Sequence, residues 1–154
     1  RGLRGCVIVS PDVGGVARAR VLAEHLDASL AIVDKRRPKP NVAEVMNVIG
    51  DVKGKPCVLV DDLVDTAGTI CQAAQALIDR GATSVRACCT HGVLAGPAIE
   101  RLKASPIEEL VITNTIPVTA HDNIDEITVL SVAPLFAEAI RRIYEELSVS
   151  ILFE

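Results

Sequence analysis

The run from Cys57 to Thr69, CVLVDDLVDTAGT, gathers the residue types in this chain best suited to chemistry. Four apolar residues, Cys57 to Val60, lead straight into Asp61 and Asp62. A short turn brings Asp65, and Thr66, Ala67, Gly68 and Thr69 then open a helix. The apolar run reads as a buried strand, and in open α/β sheets ligands bind beyond the carboxyl ends of such strands. Gly68 lets the backbone come close to a ligand. A helix start offers unpaired N–H groups and a positive dipole end to an anion, and Thr66 and Thr69 add hydroxyl donors. Asp61 and Asp62 repel a phosphate, but they can accept hydrogen bonds from neighbouring hydroxyls or hold Mg²⁺. The pattern suits a ligand with a phosphate at one end and a diol at the other. Acids after a strand also serve as turn residues and N-caps. Three acids, two threonines and a glycine at fixed offsets make this run more specific than that.

Two further segments carry chemistry. Ser10-Pro11-Asp12-Val13-Gly14-Gly15 lies between an apolar run and a helical pattern. Paired glycines permit backbone angles that turn N–H groups toward an anion, and Asp12 is a possible Mg²⁺ ligand; the alternative is a plain turn with glycines chosen for geometry. Lys35, Arg36, Arg37 and Lys39 form the dense basic patch, held open and non-helical by Pro38 and Pro40. Such a run is usually a solvated loop. Closed over a bound nucleotide, its cations would act electrostatically on a moving phosphate. His25, His91 and His121 lack a second histidine or carboxylate at metal-binding spacing. His25 is expected at the surface, His121 in a polar loop and His91 in a packing or capping role.

The elements that must position these groups alternate. Strands are expected at Gly5–Val9, Leu30–Val33, Glu44–Ile49, Cys57–Val60, Val85–Thr90, Leu110–Thr113 and Ile127–Leu130. Helices are expected at Gly15–Leu26, Gly68–Arg80, Pro97–Leu102 and Ala133–Leu147. Ile70, Ala73, Ala74, Leu77 and Ile78 form one stripe on the second helix, and Leu135, Ala139, Ile140 and Ile143 are expected to face inward on the last. The alternation predicts an α/β fold with a doubly wound, mainly parallel sheet flanked by helices and right-handed crossovers.

The chain has 154 residues, the size of one domain, and is 49% hydrophobic with 2% aromatics. A Val/Ile/Leu/Ala core of this kind fits a helix-covered parallel sheet better than a sandwich. A net charge of −4 argues against nucleic-acid binding. No apolar run reaches membrane-spanning length and the first residues do not form a signal peptide. The five cysteines, without a Cys-x-x-Cys pair, read as reduced, buried thiols of a cytoplasmic protein. The start at Arg1 is consistent with a fragment. The tail Ser148 to Phe153 is too apolar for a free terminus and is expected to pack on a neighbouring element.

Val58 to Thr69 resembles the 5-phosphoribosyl-1-pyrophosphate (PRPP) motif of the type I phosphoribosyltransferase fold. Val9–Gly15, Asp34–Asn41, Thr90–Gly92 with Ala95–Ala98, and Thr113–Pro117 are similar to the ribose-phosphate pyrophosphokinase (PRPP synthetase) family. The resemblance runs from about residue 6 to Phe153 and covers only that family's C-terminal half. It implies that Asp61 and Asp62 meet the ribose hydroxyls, and that Asp65, Thr66, Ala67, Gly68 and Thr69 receive the 5-phosphate, with Asp65 bracing the loop. Asp12, Val13, Gly14 and Gly15 would bind pyrophosphate, Asp12 with Mg²⁺. Lys35 and Arg37 would be catalytic cations, and Ser148, Val149, Ser150 and Phe153 would line a regulatory site between subunits. The implied ligands are ATP and ribose 5-phosphate, and the implied assembly is a homo-oligomer, a hexamer when full-length. This half alone is expected to be inactive. A phosphoribosyltransferase and a non-catalytic associated or regulatory subunit remain as alternatives. The first would need a base-stacking hood, yet Phe136, Tyr144 and Phe153, the only aromatics, lie near the C-terminus. The second can lose sugar-site or basic residues that stand intact here.

Overall fold

The computed structural model describes residues 5–36, 45–117 and 125–153, with 35, 36 and 45 described as backbone only. Seven strands form one sheet in the order β3-β2-β1-β4-β5-β6-β7. They are β1 (Val7–Ser10), β2 (Ser29–Arg36), β3 (Val45–Ile49), β4 (Pro56–Val64), β5 (Ser84–Gly92), β6 (Ile107–Thr113) and β7 (Ile127–Leu130). All neighbours are parallel except β2 and β3, which pair antiparallel. Helices α1 (Val16–His25), α2 (Gly68–Asp79), α3 (Ala98–Ala104) and α4 (Ala133–Tyr144) and a closing 3₁₀ turn, Ser150–Phe153, complete the elements among the described residues. This is the expected doubly wound α/β architecture. Winding reverses between β1 and β4, the place where such sheets hold ligands.

Alternation along β1 shows how the sheet is held. Val7 and Val9 join a large core with Cys57, Leu59, Val85 and the α2 stripe Ile70, Ala73, Ala74 and Leu77. Cys6 and Ile8 face the other way, onto Ala19 and Ala23 of α1 and Val60. Small residues on both helices bring them close to the strands, so methyl-rich packing replaces the missing aromatics.

Three expectations change. β4 does not stop at Val60 but runs through Asp61 and Asp62 to Val64, because β5 keeps pairing with it as far as Val64↔Gly92. β2 likewise outruns Val33: Lys35 and Arg36 pair with Met46 and Val45 of β3, so the start of the basic segment is strand backbone rather than loop. Arg37 to Asn41, with both loop prolines, lies outside the described residues, as does His121. Thirdly, no residue of α4 is buried. Leu135, Ile140 and Ile143 are exposed, Ile143 by 68%, so the predicted stripe exists but does not face this chain's core. The tail is similar: Phe153 is 83% exposed and nothing in the last turn is buried, so simple packing on a neighbour within the chain is not found.

The five cysteines are free. Burial pushes Cys57 up to about 11 and Cys89 up to about 12, which keeps both thiols protonated and unreactive near neutral pH. Among the described residues no helix is long and apolar enough to cross a membrane.

Gly92 closes β5 against fully buried Ile112, whose Cδ1 would lie 2.8 Å from an added Cβ. Gly92→Ala is expected to cost about 1–3 kcal/mol through overpacking. Ile112→Val, which alone costs about 1 kcal/mol, should cost less or nothing in that background because it removes the clashing carbon. Urea melts of the four proteins check this, and strict additivity would refute the proposed clash.

Candidate functional site

The crevice arises from unequal strand lengths. The last β1–β4 pair is Val9↔Leu59, whereas β4 continues to Val64. Five residues at about 3.3 Å each carry it some 16 Å further, paired only with β5 on one side. The loop after β1 and the overhang of β4 bound a cavity of about 170 Å³. Its lining joins Asp12 and Asp61 to Val64 and the turn Asp65, Thr66, Ala67, Gly68 and Thr69. Since β2 runs parallel to β1, its carboxyl end, which carries Lys35, lies at the same edge of the sheet.

Ala67 governs the turn. It occupies the N-cap of α2 with φ 58° and makes no side-chain cap. The left-handed conformation costs a non-glycine residue about 1–2 kcal/mol, and alanine at an N-cap forgoes about 1 kcal/mol available to Ser, Thr, Asp or Asn. In return the helix start stays open. The first intrahelical acceptor is the Ala67 carbonyl, taken by the Cys71 N–H at 3.1 Å, and the N–H groups of Gly68, Thr69 and Ile70 have no acceptor among the described residues. A helix start left open in this way has the donors and dipole end that suit an anion. The left-handed angle of this turn belongs to Ala67, and Gly68, expected to let the backbone approach a ligand, has no positive φ. Asp65 braces the loop through its backbone, its carbonyl accepting from the Ala95 N–H at 3.0 Å, rather than through its exposed carboxylate.

The β1 loop differs from its expectation. Neither Gly14 nor Gly15 adopts positive φ, and the Gly15 N–H donates to Asp12 Oδ1 at 2.8 Å, so that donor is already engaged. Gly15 is required for space, since a Cβ there would sit 2.7 Å from Ser10 Oγ, which itself donates to the Asp12 carbonyl. Val13 is 65% exposed at the loop tip. Asp12 faces the cavity shared with Asp61, and no cluster of three potential metal ligands exists among the described residues.

Sequence reasoning missed two arginines. Arg18 of α1 bridges the acid pair, Nη1 to Asp61 Oδ1 at 3.2 Å and Nη2 to Asp62 Oδ2 at 2.9 Å. Arg101 of α3 donates from Nη1 to the Thr66 carbonyl at 2.9 Å. Both contacts span long stretches of chain, and neither arginine has a local signature. His91 makes the packing contact anticipated for it, Nδ1 to Thr115 Oγ1 at 2.8 Å, and His25 is exposed. In the tail, the Ser148 and Ser150 hydroxyls bond to each other at 2.7 Å and Arg142 donates to the Ser148 carbonyl. No tail residue lines the cavity.

Burial holds the Asp61 carboxyl above its ordinary range, and the neighbouring charges of Asp62 and Asp12 act the same way. Asp62 is held low, first by its hydrogen bond with Asp61 and then by Arg18. The two titrate as a pair, with the more buried member keeping its proton longer.

Fold and crevice define a class: a doubly wound α/β protein with an acid- and amide-lined pocket at its switch point. The chain belongs to the phosphoribosyl synthetase-associated domain family, whose sequence model matches residues 35–154. It is 65% identical over 148 residues to a ribose-phosphate pyrophosphokinase of Clostridium acetobutylicum, covering 96% of this chain and 46% of that one. It is 69% identical over 147 residues to the protein of that name from Caldanaerobacter subterraneus subsp. tengcongensis, with the same coverage. The crystal structure of phosphoribosylpyrophosphate synthetase from Mycobacterium smegmatis superimposes with a TM-score of 0.84 at 43% identity, covering 92% of this chain and 45% of that one. The chain thus spans about half the length of the curated relatives it matches.

Two outcomes follow from the site's geometry. Ala67→Val, a β-branched residue at positive φ in a buried position, should destabilise by about 2 kcal/mol or more in urea melts, while Ala67→Gly should stay close to wild type. For Asp61 the raised carboxyl means that the folded chain holds its proton more tightly than the unfolded one. Stability is therefore lost as pH climbs from the unfolded value of about 3.9 through the folded one. Asp61→Asn removes that loss, so its stability relative to wild type should improve from about pH 4 upward until the wild-type carboxyl is fully ionised. Melts across this window check it, and a difference that does not change with pH would contradict the assignment.

Proposed function

We propose that this chain is the C-terminal half of a ribose-phosphate pyrophosphokinase and that the switch-point crevice seats ribose 5-phosphate. In the whole enzyme the 1-hydroxyl oxygen of the sugar attacks the β-phosphorus of ATP. The bond from that phosphorus to the α,β-bridging oxygen breaks, the hydroxyl proton is released, and PRPP and AMP result. The observation that carries this reading is the pairing, along one 16 Å strand overhang of about five residues, of an acid pair with an open helix start. The spacing suits a diol at one end and a phosphate at the other. The relatives' names support the reaction assigned to the full-length protein.

Each residue has a role that its environment allows. Asp61 and Asp62 accept hydrogen bonds from the ribose hydroxyls, taking over from Arg18. The amides of Gly68, Thr69 and Ile70 and the hydroxyls of Thr66 and Thr69 hold the 5-phosphate, while Asp65 and Ala67 shape the turn. The loop of Asp12, Val13, Gly14 and Gly15 faces the pyrophosphate side. The donor set there is hard oxygen, and the protein offers few ligands rather than a cage, which fits Mg²⁺ held by one carboxylate, Asp12, with the rest from phosphate and water. Bound there, Mg²⁺ would lower the charge on the transferring phosphate oxygens. Lys35 and Arg37 supply the cations that act on the transferring group. The missing half brings the adenine site, so this half alone turns over no ATP. The exposed α4 face and the segment of Ser148, Val149, Ser150 and Phe153 suit contacts in a homo-oligomer, a hexamer for the whole protein, with the tail forming a regulatory anion site.

Titration of the ¹⁵N-labelled chain with ribose 5-phosphate tests the crevice. Shifts should concentrate at 61–69, and Asp61→Asn with Asp62→Asn, or Thr69→Val alone, should weaken binding by about tenfold or more, the scale of one or two lost charge-assisted hydrogen bonds. Mixing the chain with the separately expressed N-terminal half of a relative should produce ATP-dependent AMP release that neither part gives alone. Turnover by this chain alone would contradict the division of labour. Binding of PRPP and a free base, with no response to ATP, would favour a phosphoribosyltransferase.

A further inference from the structure

Arg101 is a cation without a carboxylate partner among the described residues. Its recorded hydrogen bond is the one to the Thr66 carbonyl, and Nη1 lies 3.3 Å from where a Cβ on Gly68 would be. It stands on α3, behind the turn, where it lines a second cleft with Gly68, Cys71, Gln72 and Gln75; it does not line the switch-point cavity. Arg101 therefore does not touch a ligand in that cavity. What it does touch is the peptide unit on which the turn depends.

The Thr66–Ala67 peptide is trans, so the Thr66 carbonyl and the Ala67 N–H point in opposite directions. Fixing the carbonyl toward Arg101 fixes the N–H away from it. The same peptide leads into Ala67, whose left-handed conformation is unfavourable for an alanine and must be held by its surroundings. Rotation of this one peptide plane would let Ala67 return to an ordinary conformation. It would also replace the outward carbonyl with one aimed at the anion. A charge-assisted hydrogen bond from Arg101 opposes that rotation.

Resting on the reading of the crevice given above, we propose that Arg101 is a positioning residue for the phosphate end of the site. It pins the Thr66–Ala67 peptide so that the turn presents N–H groups rather than a carbonyl to the 5-phosphate. The ligand feature it governs is the phosphate, and the sugar hydroxyls at the Asp61–Asp62 end are outside its reach.

The test compares wild type, Arg101→Met and Arg101→Lys in three measurements: thermal melting, the three-bond HN–Hα coupling of Ala67 without ligand, which reads its φ, and NMR titration with ribose 5-phosphate and with unphosphorylated ribose. Arg101→Met should melt close to wild type, since the side chain is exposed. Its Ala67 coupling should shift away from the left-handed value and it should lose about tenfold in affinity for ribose 5-phosphate, with the response to ribose unchanged. Arg101→Lys, which can still donate to the Thr66 carbonyl, should recover part of both effects. An unchanged coupling and unchanged ribose 5-phosphate affinity in Arg101→Met would overturn the inference while leaving the crevice reading intact. Equal losses for ribose and ribose 5-phosphate would also overturn it, as a general loosening of the fold. If wild type shows no ribose 5-phosphate binding, the crevice reading fails and this inference falls with it.

Discussion

The site depends on β4 being longer than its neighbour β1. While β1 lasts, both edges of β4 are satisfied by parallel ladders and its side chains are core. Beyond Leu59 only β5 supports it, and the free edge becomes one wall of a cavity. The sequence changes character at the same place: Val58-Leu59-Val60 is core material, and Asp61-Asp62 is not. Two carboxylates could not sit deeper in the sheet without unpaired buried charge. On the overhang they stay within reach of water and of Arg18. The same overhang delivers the chain to Val64, from which the turn and α2 begin, so one strand sets the distance between acid pair and helix start.

The turn shows stability given up for access. A serine or aspartate at the α2 N-cap would occupy one of the free N–H groups. Alanine there leaves the helix start uncapped and its amides open. The cost is carried by the surroundings. Ala67 itself is buried in the large core, Ile70 and Ala74 anchor the first turns of α2, and the Val93 and Leu94 N–H groups hold the Val64 carbonyl just before the turn. A strained element this well buttressed is fixed before any ligand arrives.

Much of the architecture was legible because periodicity is local. The β–α alternation, the α2 stripe and the apolar run of β4 all follow from side-chain spacing within a few residues. The acid and threonine pattern also coincides with residues that line the cavity, Asp61, Asp65, Thr66 and Thr69. What could not be read depends on partners elsewhere in the chain. Asp61 and Asp62 look like the end of a strand until β5 is seen to continue beside them. Arg18 and Arg101 sit on helices 43 and 35 residues away from their partners, and nothing near them marks the contact. Ile140 and Ile143 carry a true amphipathic pattern, but pattern alone does not say which surface covers the apolar face. Gly68 drew attention because glycine lets a backbone approach a ligand closely, whereas the left-handed angle at Ala67 has no local residue signal.

Charge explains why the two arginines matter in a chain of net charge −4. Asp12, Asp61 and Asp65 line one crevice, with Asp62 next to Asp61 on the strand, and an anion approaching four bare carboxylates would be repelled over a range set by the Debye length, about 8 Å at physiological salt. Arg18 offsets one of those charges by bridging the acid pair at 3.2 and 2.9 Å. Because the pair is partly exposed, the bridge is worth only about 0–1 kcal/mol, weak enough for sugar hydroxyls to compete with it. Arg101 adds positive charge behind the turn without occupying the cavity. A net acidic chain can therefore soften the repulsion at its entrance and keep a positive helix start at the same crevice, provided that its cations are held by contacts as weak and as specific as these.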